Sequence, residues 1–151
     1  MQREQRSLTR AIDEERMMPP WLRTGLRLGL AAFLTVAGAG HFVATSSFLA
    51  QVPRGLPYPE AIVLVSGAVE LALALALVAL PRWRVEVGRA VALLFVVVLP
   101  GNVAQAVSGI DAFGLDTPTA RWVRVALHPL LLAWAFAATD SWPAMLRRAR
   151  Q

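Results

Sequence analysis

Seven polar residues that could carry chemistry stand inside segments that otherwise contain few polar side chains. They are His41, Ser66, Glu70, Asn102, Gln105, Arg124 and His128. A carboxylate, a guanidinium and imidazoles can relay protons, hold an anion or hydrogen-bond a carbonyl group. The chain has no Cys, which excludes thiol redox chemistry and thiolate metal ligation. Without Cys and with only two His, the sequence predicts no metal site and no autonomous catalysis.

The segments that carry these residues have the length and composition of transmembrane helices. Hydrophobic residues make up 56% of the 151 residues, and the mean hydropathy is +0.52. Four apolar blocks lie at about residues 25–48, 61–80, 88–108 and 120–139, and about 20 such residues cross the hydrocarbon layer. We therefore predict an all-α fold, a four-helix transmembrane bundle over residues 24–140 in contact with the lipid bilayer. Charged tails occupy residues 1–23 and 141–151.

The distribution of the 15 basic residues, all of them Arg, predicts the orientation of the bundle. Most of them lie in the two tails and around the connection 81–87, whereas Arg54, Arg121 and Arg124 lie on the opposite side. Cytoplasmic segments carry the excess of basic residues in membrane proteins. We predict a multi-pass protein of the plasma membrane with both termini in the cytoplasm. Because the arginines flank apolar blocks, we predict no binding to nucleic acid.

The seven polar residues also share a depth in the membrane. In antiparallel helices all of them fall at mid-depth or in the outer half, and an ionisable group inside a span is costly enough to mark a candidate site. We predict a polar cavity that opens towards the extracytoplasmic side. In it, Glu70 begins a hydrogen-bonded chain that runs through a histidine towards Arg124, with Asn102 alongside.

Several roles for this polar set remain open from the residues alone. The side chains would hold the bundle together in a purely structural role. As a quinone pocket, the site would use His41 or His128 as the donor, with Trp or Phe as walls. Haem ligation by the two histidines is less favoured, because they are few and Pro129 directly follows one of them. A proton relay through Glu70 and an anion held by Arg124 are further alternatives.

The second apolar block offers two faces of small residues for close helix packing. One face contains Ala68, Ala72 and Ala76. The other contains the polar candidates Ser66 and Glu70 together with Gly67 and Ala74. If Glu70 is to avoid lipid, the second face must lie inside the bundle.

A series of short motifs, in order along the chain, resembles a known family. The motifs are Gly40-His41-Phe42, Pro57 and Pro59 before Ser66-Gly67-Ala68-Val69-Glu70-Leu71, Pro100-Gly101-Asn102, and Arg124 with Trp134. Over residues 24–140 this series resembles the DoxX family of small bacterial membrane proteins. The resemblance implies a four-helix membrane fold. The family is named from a subunit of an archaeal thiosulfate:quinone oxidoreductase, and an actinobacterial relative is linked to an oxidoreductase complex that counters oxidative stress.

The resemblance implies a non-catalytic subunit, or a quinone- or small-molecule-binding partner, of a membrane redox complex. Quinone is then the expected cofactor class, and a redox enzyme is the expected protein partner. Two other functions remain open. One is a small-molecule binder or transporter that uses the polar cavity, and the other is a purely structural membrane protein.

Overall fold

The structure of the protein, a computed structural model, describes residues 18–141. The helices are α1 (Pro20–Val43), α2 (Thr45–Leu49), α3 (Pro59–Ala79), a 3-10 turn (Pro81–Trp83), α4 (Arg84–Ser108), α5 (Pro118–Ala126) and α6 (His128–Thr139). No strand occurs within residues 18–141. The predicted tails lie outside the described residues, except for residues 18–23, of which 20–23 belong to α1, and residue 141, which follows α6.

Four helical segments are long and apolar enough to cross a membrane, which confirms the predicted all-α fold with four spans. They are Pro20–Val43, Pro59–Ala79, Pro81–Ser108 and Pro118–Thr139. The first begins at Pro20 rather than near residue 25, because the fixed φ of proline suits the first turn of a helix. It ends at Val43 because Ala44 leaves the helical conformation, with φ −123° and ψ 41°. The short helix α2 therefore forms a separate element.

The fourth span, predicted at residues 120–139, begins at Pro118 and consists of two helices. It is interrupted at Leu127, between α5 and α6. Pro129 in the first turn of α6 has no N–H to donate to the carbonyl of Val125, so the regular hydrogen-bond ladder is broken there. At the same break, the Nδ1 atom of His128 lies 3.1 Å from the carbonyl oxygen of Arg124.

The spans pack as an antiparallel bundle in which α1 lies mainly against α3, and α4 mainly against α6. At one end, here called the tail end, Asp140 pairs with Arg23 at 3.0 Å and with Arg84 at 3.3 Å. The other end, here called the loop end, contains the connections 50–58 and 109–117. Leu30, Leu34 and other apolar side chains form the core between the two ends.

Large apolar side chains also cover the outside of the bundle. Trp21, Val36 and Val43 are 74%, 75% and 88% exposed, and many other apolar residues are exposed along every span. A soluble protein rarely exposes such contiguous apolar surface. The outside of the bundle therefore fits a surrounding of lipid chains, in agreement with the predicted contact with the bilayer.

The closest approach between α1 and α3 involves two glycines. A Cβ atom added to Gly67 would lie 2.9 Å from the carbonyl oxygen of Gly38, and one added to Gly38 would lie 2.9 Å from that of Gly67. Only residues without a Cβ allow the two backbones to come this near.

The buried face of α3 is the one that contains Glu70. This face consists of Val63, Gly67, Glu70, Ala74 and Leu77. The prediction that Gly67, Glu70 and Ala74 face the bundle is confirmed. On the other small-residue face, Ala68 and Ala72 are exposed, whereas Ala76 is partly buried and packs against the core.

Candidate functional site

The glycine crossing brings His41 of α1 against Glu70 of α3. The Nε2 atom of His41 lies 3.5 Å from Oε1 of Glu70, and their side chains are only 8% and 9% exposed. The predicted approach of Glu70 to a polar residue of a neighbouring helix is therefore confirmed for His41. The neighbouring position Ser66 is half-buried and takes part in none of the hydrogen bonds found within residues 18–141.

The second nitrogen of His41 binds the backbone of α3. Nδ1 lies 2.8 Å from the carbonyl oxygen of Val63. A carbonyl oxygen only accepts, so Nδ1 carries a hydrogen and donates it. Nε2 faces Glu70 at 3.5 Å, which is longer than an ordinary hydrogen bond, and Oε2 of Glu70 is buried with no hydrogen-bond partner within residues 18–141.

A second polar group, here called the amide cluster, lies at the loop end of the bundle. The Nδ2 atom of Asn102 lies 3.1 Å from Nε2 of His128. Because Nδ1 of His128 donates to the carbonyl of Arg124, Nε2 is the atom that accepts. Gln51 donates from Nε2 to Oε1 of Gln105 and lies 3.5 Å from Oδ1 of Asn102. The amide cluster thus joins α4, the start of α6 and the connection after α2.

Arg124 is the charged member of the amide cluster and has no carboxylate partner within residues 18–141. Its guanidinium lies 3.5 Å from Oε1 of Gln105 and 3.5 Å from Oε1 of Gln51. These distances are at the long limit of a hydrogen bond. The guanidinium carbon also lies 4.9 Å from the ring centre of Phe113. A half-buried cation is therefore left with donors that are only weakly satisfied.

Arg121, one turn earlier on α5, shows the opposite arrangement. It is buried, and its guanidinium contacts the carboxylate of Asp111 at 2.6 Å and the carbonyl of Leu115 at 3.0 Å. Arg121 thereby holds the connection 109–117 against the bundle. Of the two arginines on α5, Arg121 has an ion pair and Arg124 has none within residues 18–141, although the buried Nε of Arg121 also lacks a hydrogen-bond partner there.

Two phenylalanine rings connect the His41–Glu70 pair to the amide cluster. Phe48 of α2 stacks on the imidazole of His41 with 3.7 Å between ring centres, and its ring meets the edge of Phe113 at 4.6 Å. The predicted chain therefore begins with the 3.5 Å contact between Glu70 and His41, but it is wrong beyond His41. Aromatic contacts replace the hydrogen bonds, because α2 places Phe48 over His41.

Three residues of the site were missed at the level of the sequence. Gln51 lies in a segment that is rich in proline and was assigned to a connection, and Phe48 and Phe113 lie at or beyond the ends of apolar blocks. Aromatic and amide side chains at such positions usually mark a membrane interface and carry no signal of a site. Only the path of the connections brings them over the bundle.

The arrangement constrains which groups the site can hold. Each ring nitrogen of His41 and of His128 already faces a partner, which leaves no free nitrogen for a haem iron. Two surface grooves, one beside Trp122 and one beside Tyr58, are lined by none of the predicted site residues. The predicted polar cavity therefore stays a prediction. The polar groups that were expected to line it contact the side chains of Phe48 and Gln51 instead.

Comparison with known proteins gives a family but no activity. The family model described as a domain of unknown function, DUF8561, matches residues 30–139. This range contains the His41–Glu70 pair, both phenylalanines and the whole amide cluster. No curated protein and no solved structure matches the chain.

Proposed function

The chain belongs to the DUF8561 family, and we propose that it serves in the plasma membrane as a non-catalytic, quinone-binding subunit of a redox complex. The observation that carries this proposal is Arg124. A buried cation is normally paired with an acidic group. Arg124 is half-buried and lies beside the amides of Gln51 and Gln105, and no carboxylate within residues 18–141 forms an ion pair with it. The resemblance to the DoxX family stays a prediction and points in the same direction.

The chemistry of a quinone head group matches what the site offers. Its carbonyl oxygens accept hydrogen bonds, which Arg124 and the amide of Gln51 can donate. Its flat ring stacks on aromatic side chains, and Phe48 and Phe113 supply such faces. Its apolar tail would extend into the lipid that surrounds the bundle. A purely structural role explains the His41–Glu70 pair but leaves Arg124 with two hydrogen bonds of 3.5 Å and no carboxylate partner within residues 18–141.

The same observation favours one second candidate, a binder or transporter of a small anion. The planar fork of an arginine suits a carboxylate or a phosphate. Such a ligand would use Arg124 and the amides without needing the phenylalanine rings. The ligand that copurifies with the protein would separate the two candidates.

We expect the protein to retain quinone when it is purified in a mild detergent. Solvent extraction followed by mass spectrometry should find about one quinone per chain. The same extraction should find much less in an Arg124→Gln variant, and a redox enzyme should copurify with the wild-type chain. A preparation that contains lipid but neither quinone nor an anionic metabolite would leave only the structural role.

The proposed orientation places the loop end outside the cell and both tails in the cytoplasm. It is supported by the excess of arginines near the tail end. A reporter that is active only outside the cytoplasm should stay silent when fused after Gln151. The same reporter inserted into the connection 109–117 should be active. The reverse pattern would contradict the orientation and place the site on the cytoplasmic side.

A further inference from the structure

Three arginines meet around a single carboxylate at the tail end of the bundle. Arg23 of α1 and Arg84 of α4 lie 3.0 Å and 3.3 Å from the two oxygens of Asp140. Arg27 lies one turn after Arg23 on the same side of α1, so the two side chains are neighbours. We call Arg23, Arg27 and Arg84 the arginine cluster. Its three positive charges face one negative charge within residues 18–141.

The protein leaves donors of the arginine cluster without a partner. Arg27 is half-buried and forms no ion pair within residues 18–141, and its buried Nε makes no hydrogen bond there. The Nε of Arg23 lies at ion-pair distance from Asp140 but also makes no hydrogen bond. A guanidinium only donates, so the missing partner is an acceptor. A water molecule would accept but would leave the excess positive charge unbalanced, whereas an anion does both.

Two tryptophans place the arginine cluster at the level of the lipid head groups. Trp21 and Trp83 are 74% and 61% exposed, and each lies within two residues of an arginine of the cluster. Tryptophan concentrates at the boundary between hydrocarbon and water, where the phosphates of the surrounding lipids also lie. The side chains of Arg23 and Arg84 are 24% and 43% exposed, so an anion can approach them from outside the bundle.

We propose that the arginine cluster binds the head group of an anionic phospholipid, and that the phosphate is the counter-ion that Arg27 lacks. The planar fork of a guanidinium matches the oxygens of a phosphate. Asp140 contacts both Arg23 and Arg84 and thereby holds the two sides of the cluster together. This inference goes beyond the proposed function. It does not depend on the ligand of Arg124, because the amide cluster lies at the opposite end of the bundle.

Two lipids that differ only in their head groups test this inference. Phosphatidylglycerol and phosphatidylcholine with the same acyl chains are titrated into the full chain in a mild detergent, and native mass spectrometry measures the bound lipid. We expect phosphatidylglycerol to bind roughly tenfold more tightly, as one charge-assisted hydrogen bond predicts. Equal affinities would overturn the inference. Inorganic phosphate at the same concentration should displace little lipid, and full displacement would instead assign the cluster to a soluble anion.

Variants at the same end of the bundle separate a defined site from a diffuse attraction. Arg27→Gln should lose most of the preference, and it should melt near the wild-type temperature in detergent because Arg27 has no ion pair within residues 18–141. Arg82→Gln removes an exposed charge outside the cluster and should keep the preference. An equal loss in both variants would contradict a defined site. If Arg27→Gln does not fold, Arg84→Gln takes its place in the same comparison.

The acidic residues at positions 13–15 are the alternative anion for the cluster. A variant with Asp13→Asn, Glu14→Gln and Glu15→Gln should show the same lipid preference as the wild type. If the preference appears only in this variant, the segment and not a lipid occupies the arginine cluster in the wild type, and the proposal is overturned.

Discussion

Replacing Gly67 with alanine is expected to force α1 and α3 apart and to destabilise the whole bundle. The new Cβ would lie 2.6 Å from the Cβ of His41 and 2.9 Å from the carbonyl oxygen of Gly38. Neither atom is the free end of a flexible side chain, so the helices themselves must shift. Overpacking of this kind costs about 1–3 kcal/mol. The melting temperature in detergent should fall by several degrees, and the shift should also separate His41 from Glu70.

A matched variant shows whether the effect belongs to the crossing. Gly25→Ala makes the same change within α1, at a position where no atom lies within 4 Å of the added Cβ. Its melting temperature should equal or slightly exceed that of the wild type, because alanine favours helix. If Gly67→Ala melts at the wild-type temperature, the close approach of the two helices is wrong, and the position of the His41–Glu70 pair is wrong with it.

Replacing Arg124 with glutamine is expected to weaken ligand binding by about 10- to 100-fold. This is the range that the loss of a hydrogen bond from a charged donor predicts. The melting temperature of the ligand-free protein should change little, because Arg124 has no ion pair to lose and its two contacts with the amides are 3.5 Å long. Competition binding and thermal unfolding of the same preparations measure both quantities.

Two other arginines serve as controls for Arg124. Arg54→Gln removes an exposed charge near the loop end and should change neither quantity. Arg121→Gln should leave ligand binding unchanged but lower the melting temperature, because Asp111 and the carbonyl of Leu115 lose a buried partner. If Arg124→Gln lowers stability as Arg121→Gln does and leaves binding unchanged, then Arg124 is a structural residue.

The sequence by itself determined the number and approximate place of the spans, because apolar length is a local property. It also determined that Glu70 must face inward, since an acidic side chain in lipid is too costly. The early start of α1 at Pro20 and the break at Leu127 follow from rules for proline that the sequence already contained. The boundaries were therefore recoverable in principle, although the predicted ends differed from the observed ones by several residues.

Only the tertiary structure decided which partners the polar residues have. In a soluble helix the apolar stripe marks the packing face, but in α3 both faces are apolar and the pattern does not choose between Ala68 and Gly67. The choice depends on how α1 and α3 cross, and Gly38 and Gly67 allow the closest approach. Phe48 and Gln51 reach the site because the chain turns back after Ala44. That path depends on contacts between distant segments, for which a local pattern carries no information.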